Sequence, residues 1–199
     1  AVDLSGDPKN TLMRALNICR QYAQGFRLDD AEGPAPRGLL LIGPPGVGKT
    51  HLAVATLRDL ILNLGVQGRF IDFTSFISRI QSTFDPSSEE SKHDVIDPVL
   101  DAELLVLDEL GAQKPTPFVQ DILYLVLNTR YSRRRATIFT TNFRLSIDKP
   151  QERAVDQEFT TAHAWDQSQP PPSHHDLLSS RLPPNLLSRL SEMARSVVI

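Results

Sequence analysis

Apolar residues along this chain fall into short dense runs, and between the runs lie stripes at helical spacing. Leu12, Leu16, Cys19, Ala23 and Phe26 recur every three or four positions, with Met13, Ile18 and Tyr22 beside them, so the spacing predicts a lead-in helix within residues 1–28. Residues 29–36 mix acids with Gly and Pro and read as a loop. Residues 38–42 are too uniformly aliphatic for a one-sided strand, which predicts a buried parallel strand. Residues 49–64 are helical in period, with Leu52, Leu57, Leu60, Ile61 and Leu64 on one face. A second strand is expected over 69–73 and a second helix over 74–84, followed by a polar, mobile surface loop over 85–94. A short helix over 95–102 leads into a third buried strand at 104–107. Residues 118–131 form a helix striped by Ile122, Leu123, Val126 and Leu127, and 137–141 a fourth strand. The last helix is expected over 184–195, with a fifth strand at 197–199. Strands alternating with helices in this way predict an α/β fold, a parallel sheet of about five strands with helices on both faces.

Residues 145–176 break the alternation. They hold six acids against two bases, few aliphatics and the run Pro170-Pro171-Pro172, which predicts a partly disordered insertion. The chain thus divides into a lead-in helix and loop (1–36), a core (37–144), the insertion (145–176) and a closing helix and strand (177–199), all within one domain.

Composition narrows the function classes. At 199 residues, 40% hydrophobic and 23% charged, the chain is an ordinary globular one. Its net charge of −3 argues against a general nucleic-acid coat protein while leaving room for a local basic patch. A lone Cys19 cannot make an internal disulfide. No apolar run approaches the roughly 18 residues of a membrane span, and the start lacks the basic n-region of a signal peptide. The expectation is a cytoplasmic protein with no membrane partner.

Gly43-Pro44-Pro45-Gly46-Val47-Gly48-Lys49-Thr50 satisfies the phosphate-loop pattern G-x-x-x-x-G-K-[ST], with a strand expected before it and a helix after. Glycines let successive backbone N–H groups turn inward around a phosphate, and the following helix aims its positive end at the same anion. Lys49 would reach the β- and γ-phosphates of ATP, or the β-phosphate of ADP, and the Thr50 hydroxyl would ligate Mg²⁺. The third strand runs into Asp108 and Glu109. Strand C-termini in a parallel sheet open onto the ligand crevice, so Asp108 is expected to hold Mg²⁺ and Glu109 to polarise an attacking water. The fourth strand ends Thr140-Thr141-Asn142, where Asn142 could orient that water or simply form a turn.

GPPGVGKT, LLVLDELG and TTN in this order resemble the AAA+ ATPases. GPPGVGKTHLA, which brings His51 into the nucleotide segment, together with LDELGAQKPT, Asn128-Thr129-Arg130-Tyr131 and TTNF, resembles the bacterial replicative-helicase loaders of the DnaC/DnaI type and the related IstB transposition ATPases. The resemblance covers about residues 8–144 and resumes at 177–199. It implies ATP bound between neighbouring subunits of a self-assembly, with an arginine finger from a Ser-Arg-Leu segment, here Ser188-Arg189-Leu190. Arg189 is therefore the candidate finger, its alternative being a surface ion pair with Glu192 three residues on. Arg181 stands where related sequences often carry another arginine. Ending at Ile199 and starting at Ala1, the chain matches only the ATPase domain of such loaders, and the expectation is that it belongs to a longer protein.

The implied function is an ATP-hydrolysing replication factor that loads the replicative helicase onto single-stranded DNA, with hydrolysis as the release switch. An IstB-like helper of a DNA transposase is the alternative, and a nucleotide kinase or a non-hydrolysing scaffold are more distant ones. Arg130, Arg133, Arg134 and Arg135 around Tyr131 form the one dense basic cluster, fit either for single-stranded DNA or for a solvated helix end. Phe73, Phe76 and Ile80 mark either a family-specific helix or core.

Overall fold

In the computed structural model, residues 8–27, 37–145 and 177–199 are described. The predicted insertion, apart from Leu145, lies outside them, as do the loop at 29–36 and the first seven residues. Five strands, β1 (Gly38–Ile42), β2 (Gly68–Asp72), β3 (Leu104–Asp108), β4 (Ala136–Thr141) and β5 (Ala194–Val198), form one sheet in the order β2-β3-β4-β1-β5. Every pairing is parallel. The helices are α1 (Pro8–Gly25), α2 (Lys49–Leu64), α3 (Phe73–Ser82), α4 (Lys92–Asp101), α5 (Pro117–Ser132) and α6 (Pro184–Met193).

Side chains alternate across a strand, and this period divides the core in two. Leu40, Ile42, Leu105, Leu107 and Phe139 pack with α3, α4, α5 and α6. Leu39, Leu41, Leu104, Val106 and Ile138 pack with α1 and α2. Both faces are covered, which is why every residue of β1, β3 and β4 is buried, the threonines of β4 included. Among the described residues no helix is long and apolar enough to cross a membrane.

Several expectations shift. On α1 the buried positions are Ala15, Ile18, Cys19 and Ala23, whereas Leu12 and Met13 are exposed. On α2, Leu52, Leu57 and Leu60 are buried but Ile61 and Leu64 are exposed. Asp72 caps α3 by accepting from the Ser75 N–H at 2.7 Å, so the helix takes in Phe73 rather than leaving it to the strand. Ser91 and Asp94 form a reciprocal capping box that starts α4 at Lys92, inside the expected loop. The remainder of that loop carries an exposed Arg79–Glu90 ion pair and a hydrogen bond donated by Ser87 to Asp85. Helix α6 stops at Met193, and β5 begins at Ala194, earlier than the apolar run suggested, since backbone pairing with Gly38 fixes its register. Phe73, Phe76 and Ile80 are all buried and serve as core.

Arg130 is the largest fully buried side chain. Its guanidinium donates to the Val99 and Ala102 carbonyls at 2.9 and 2.8 Å, to Ala136 O at 2.6 Å and to Thr137 Oγ1 at 2.9 Å. It therefore ties the end of α4 to α5 and β4, and it leaves the basic cluster in which the sequence had placed it. Burial pulls its pKa down to about 9, the cost of a desolvated charge offset by the four close acceptors around it.

Candidate functional site

The loop between β1 and α2 turns at Gly46 and Gly48, whose φ values of 83° and 96° lie where a side chain would be strained. Gly43 is required for a different reason: a Cβ there would come within 2.6 Å of the Ile199 carbonyl. The loop is anchored on both sides, with Gly43 N–H donating to Thr141 O at 3.2 Å and Ile199 N–H to Ile42 O at 2.8 Å. Gly48 is the N-cap of α2 and offers no side-chain cap, so the first turn of the helix keeps the positive end that an anion favours.

Lys49 is buried, and its ammonium donates to Pro44 O at 2.8 Å, folding back over the loop. Burial holds its pKa below the usual lysine value, opposed by the Asp108 and Glu109 carboxylates. Pro45, Gly46 and His51 are exposed, whereas Val47 packs against the α1–α2 side of the core.

Strand parity explains how Asp108 meets the loop. Asp108 shares the face of Leu104 and Val106, and Thr140 that of Ile138, the face on which α2 lies. Thr50 Oγ1 stands 2.9 and 3.1 Å from the two Asp108 oxygens. Thr140 Oγ1 donates to Asp108 Oδ1 at 2.5 Å and accepts from the Glu109 N–H at 3.0 Å. The Thr140 carbonyl also accepts from Leu110 N–H at 2.8 Å. Glu109 has a φ of 59°, in the left-handed region that a non-glycine residue rarely adopts, and its side chain is exposed at the crevice. Thr140 was not among the residues singled out for the site; the parity it shares with Ile138 was the available signal.

Asn142 follows β4 directly and is half-buried, with no hydrogen bond to Asp108 or Glu109 among the described residues. An oxygen-only pair of hydroxyl and carboxylate beside a phosphate loop fits Mg²⁺, which takes one or two protein oxygens and fills its shell with phosphate and water.

The two arginine candidates lie at different ends. The Arg181 guanidinium sits 4.8 Å from the centre of the Phe143 ring, just past Asn142 at the C-terminal edge of the sheet. Arg189 sits 4.4 Å from the centre of the Tyr131 ring, in the last turn of α5. Since α5 leads into the start of β4 and α6 into the start of β5, Tyr131 and Arg189 lie toward the N-terminal edge. The phosphate loop is at the opposite end of β1, on the order of 15 Å along the strand. Arg189 makes no ion pair with Glu192; that carboxylate accepts instead from the Tyr131 hydroxyl at 2.6 Å.

At the same N-terminal edge, Arg37, Arg133, Arg134, Arg135, Phe26 and Glu103 help line a pocket of about 230 Å³. It is remote from the phosphate loop, and its arginines are partly committed. Arg133 pairs with Asp101 at 2.5 Å, and Arg37 donates to the carbonyls of Arg134 and Arg27.

Comparison with known proteins agrees with this geometry. The family model described as "IstB-like ATP binding protein" matches residues 35–164. The replicative helicase loader DnaC of Escherichia coli (strain K12) is 31% identical over 130 residues, which is 65% of this chain and 50% of that protein. The chain thus spans about half the length of the curated loaders it matches. A crystal structure of the DnaC helicase loader superposes with a TM-score of 0.69 at 31% identity, covering 94% of this chain and 89% of that one. The DnaI crystal structure, at 18% identity and TM-score 0.66 over 100% of this chain and 88% of that one, shows the shared fold alone.

Proposed function

Because the chain belongs to the IstB-like ATP-binding proteins, within the AAA+ ATPases of the helicase-loader group, we propose that it binds and hydrolyses ATP as an assembly switch that loads a replicative helicase onto single-stranded DNA. The observation that carries this reading is the contact of Thr50 with both oxygens of Asp108, which joins the phosphate loop to the acidic end of β3. The loop amides of residues 43–50 cradle the phosphates, with His51 beside them in the first turn of α2. Lys49 leaves the Pro44 carbonyl to neutralise the β- and γ-oxygens. Thr50 and Asp108 would hold Mg²⁺, which supplies charge neutralisation at the phosphates. Glu109 orients and polarises the attacking water, and Asn142, beside it at the end of β4, contacts the γ-phosphate.

Arg189 is remote from its own phosphate loop, which supports a role at a neighbour's nucleotide, where it neutralises charge spreading over the transferring phosphoryl group. Hydrolysis then depends on self-assembly. The working compartment is the cytoplasm, where ATP and the helicase are found.

The test is ATP turnover per subunit against protein concentration, with and without single-stranded DNA. Turnover should rise with concentration and with DNA, and Arg189→Ala should lower it by about 10³-fold or more while ATP still binds. Turnover that is independent of concentration and indifferent to Arg189→Ala would overturn the assembly reading. The match to an IstB-like model favours a second reading, a helper ATPase of a DNA transposase. Pull-down with a replicative helicase against pull-down with a transposase separates the two.

A further inference from the structure

Arg189 and Glu192 are three residues apart on α6, a spacing at which an arginine and a glutamate pair on a helix surface. They do not pair here. Both Glu192 oxygens are turned to other donors, Oε2 to the Tyr131 hydroxyl at 2.6 Å and Oε1 to the Ser188 hydroxyl at 3.4 Å. The Arg189 guanidinium instead lies on the face of the Tyr131 ring, 4.4 Å from its centre. Tyr131 therefore does two things at once. Its ring supports the cation from one side by attraction to the π-face, and its hydroxyl takes up the carboxylate that would otherwise compete for the fork. Among the described residues Arg189 has no ion-pair partner.

We propose that Tyr131 and Glu192 are positioning residues for Arg189: the phenol ring holds the guanidinium by its face, and the phenol hydroxyl holds Glu192 away from it, so that the N–H edge stays available to the phosphate of a neighbouring subunit's nucleotide. The inference rests on the reading of Arg189 as a finger acting in trans. A guanidinium seated over a ring instead of in an ion pair has no donor committed to a carboxylate, and its paired N–H donors are what recognise phosphate oxygens. An exposed Arg–Glu pair would have to be broken before each engagement. The Tyr131 phenol is well placed to keep donating: its hydrogen bond to Glu192, with the charge of that carboxylate, holds its pKa above the usual tyrosine value.

The test uses the full chain in five forms: wild type, Arg189→Ala, Tyr131→Phe, Tyr131→Phe/Glu192→Gln and Tyr131→Leu. ATP turnover at saturating nucleotide is measured alongside nucleotide affinity and assembled mass. Arg189→Ala comes first, because unchanged turnover there removes the finger reading itself. Given that loss, Tyr131→Phe, which keeps the ring and frees Glu192, should lower turnover about five-fold with ATP affinity unchanged. Replacing Glu192 by Gln in that background should restore turnover to within about two-fold of wild type, since no carboxylate remains to capture the fork. Tyr131→Leu, which removes the platform, should also be impaired about five-fold. A Tyr131→Phe variant with wild-type turnover, or a double variant that is not restored, overturns the inference while leaving the finger intact. A purely structural role for Tyr131 predicts no rescue, because Glu192→Gln adds no packing.

Discussion

Thr140 is the residue on which the acidic end of β3 depends. One hydroxyl donates to Asp108 and accepts from the Glu109 N–H, so a single side chain orients the carboxylate beside Thr50 and supports the left-handed turn that carries Glu109. Left-handed backbone at a non-glycine residue costs energy and persists where its surroundings hold it. Thr140→Val preserves shape but removes both bonds: among the described residues the Glu109 N–H is left without a partner, and Asp108 keeps only the Thr50 hydroxyl, at about 1–3 kcal/mol. Turnover should fall about ten-fold, with ATP affinity within about two-fold, because the phosphate loop is untouched. Thr140→Ser, which keeps the hydroxyl, should stay within about three-fold of wild type, and steady-state kinetics of the pair decides the matter. Equal loss in both would assign the effect to packing. The phosphate loop and the Asp108-Glu109 pair were legible in the sequence because each is contiguous, and local backbone chemistry dictates its residue types. Thr140 was not singled out for the site, and Tyr131 was named only for a family motif and the basic cluster, because their contacts here are with partners 32 and 61 positions away, and one sequence carries no signal for such pairings beyond strand parity.

At the level of elements, Arg130 shows how a charged residue inside an apparent surface cluster can be a structural joint. It lies on the buried stripe of α5 with Ile122, Leu123, Val126 and Leu127, and its fork collects carbonyls from α4, from the turn after it and from the start of β4. Helical spacing from Leu123 and Leu127 would have put position 130 on the inner face, but arginine in a basic run reads more readily as solvated. Arg130→Met should cost about 3 kcal/mol, from carbonyls left without a donor. For a chain of this size, that corresponds to a melting temperature lower by about 10 °C, measurable by calorimetry. Arg130→Lys should recover only part of it, since one ammonium cannot span the acceptors of a planar fork. Exposed Arg133, paired with Asp101 on the surface, should cost no more than about 1 kcal/mol on replacement by Ala. A stable Arg130→Met variant that loses DNA binding would return Arg130 to the cluster. The strand and helix alternation was readable because dense apolar runs and helical stripes differ in period. Element ends were less so: the starts of α3 and α4 are set by the Asp72 cap and the Ser91–Asp94 box, and the start of β5 by its register with β1.

Across the whole molecule, the groups proposed for one reaction lie at opposite edges of a single sheet. Lys49, Thr50, Asp108 and Glu109 gather at the C-terminal ends of β1 and β3, whereas Arg189 lies on Tyr131 toward the N-terminal edge. No bend of one side chain closes a gap of that order, so the proposed finger role of Arg189 calls for two copies joined head to tail, a heterologous arrangement that generates a ring or a spiral. Such an interface makes a prediction that a self-contained enzyme does not. Glu109→Gln should bind ATP without hydrolysing it, and Arg189→Ala should bind ATP without completing a neighbour's site, so each alone is inactive. Mixed in equal amounts, an Arg189→Ala subunit contributes a competent Glu109, and its Glu109→Gln neighbour contributes a competent Arg189. With random mixing about a quarter of the interfaces pair these two halves in the productive order. ATP turnover of the mixture should therefore recover to about a quarter of wild type, peak near equal proportions and vanish on dilution below the assembly concentration. A mixture as inactive as its parts would mean that Arg189 and Glu109 never share a site, and the sheet would then carry a nucleotide site completed by some other group.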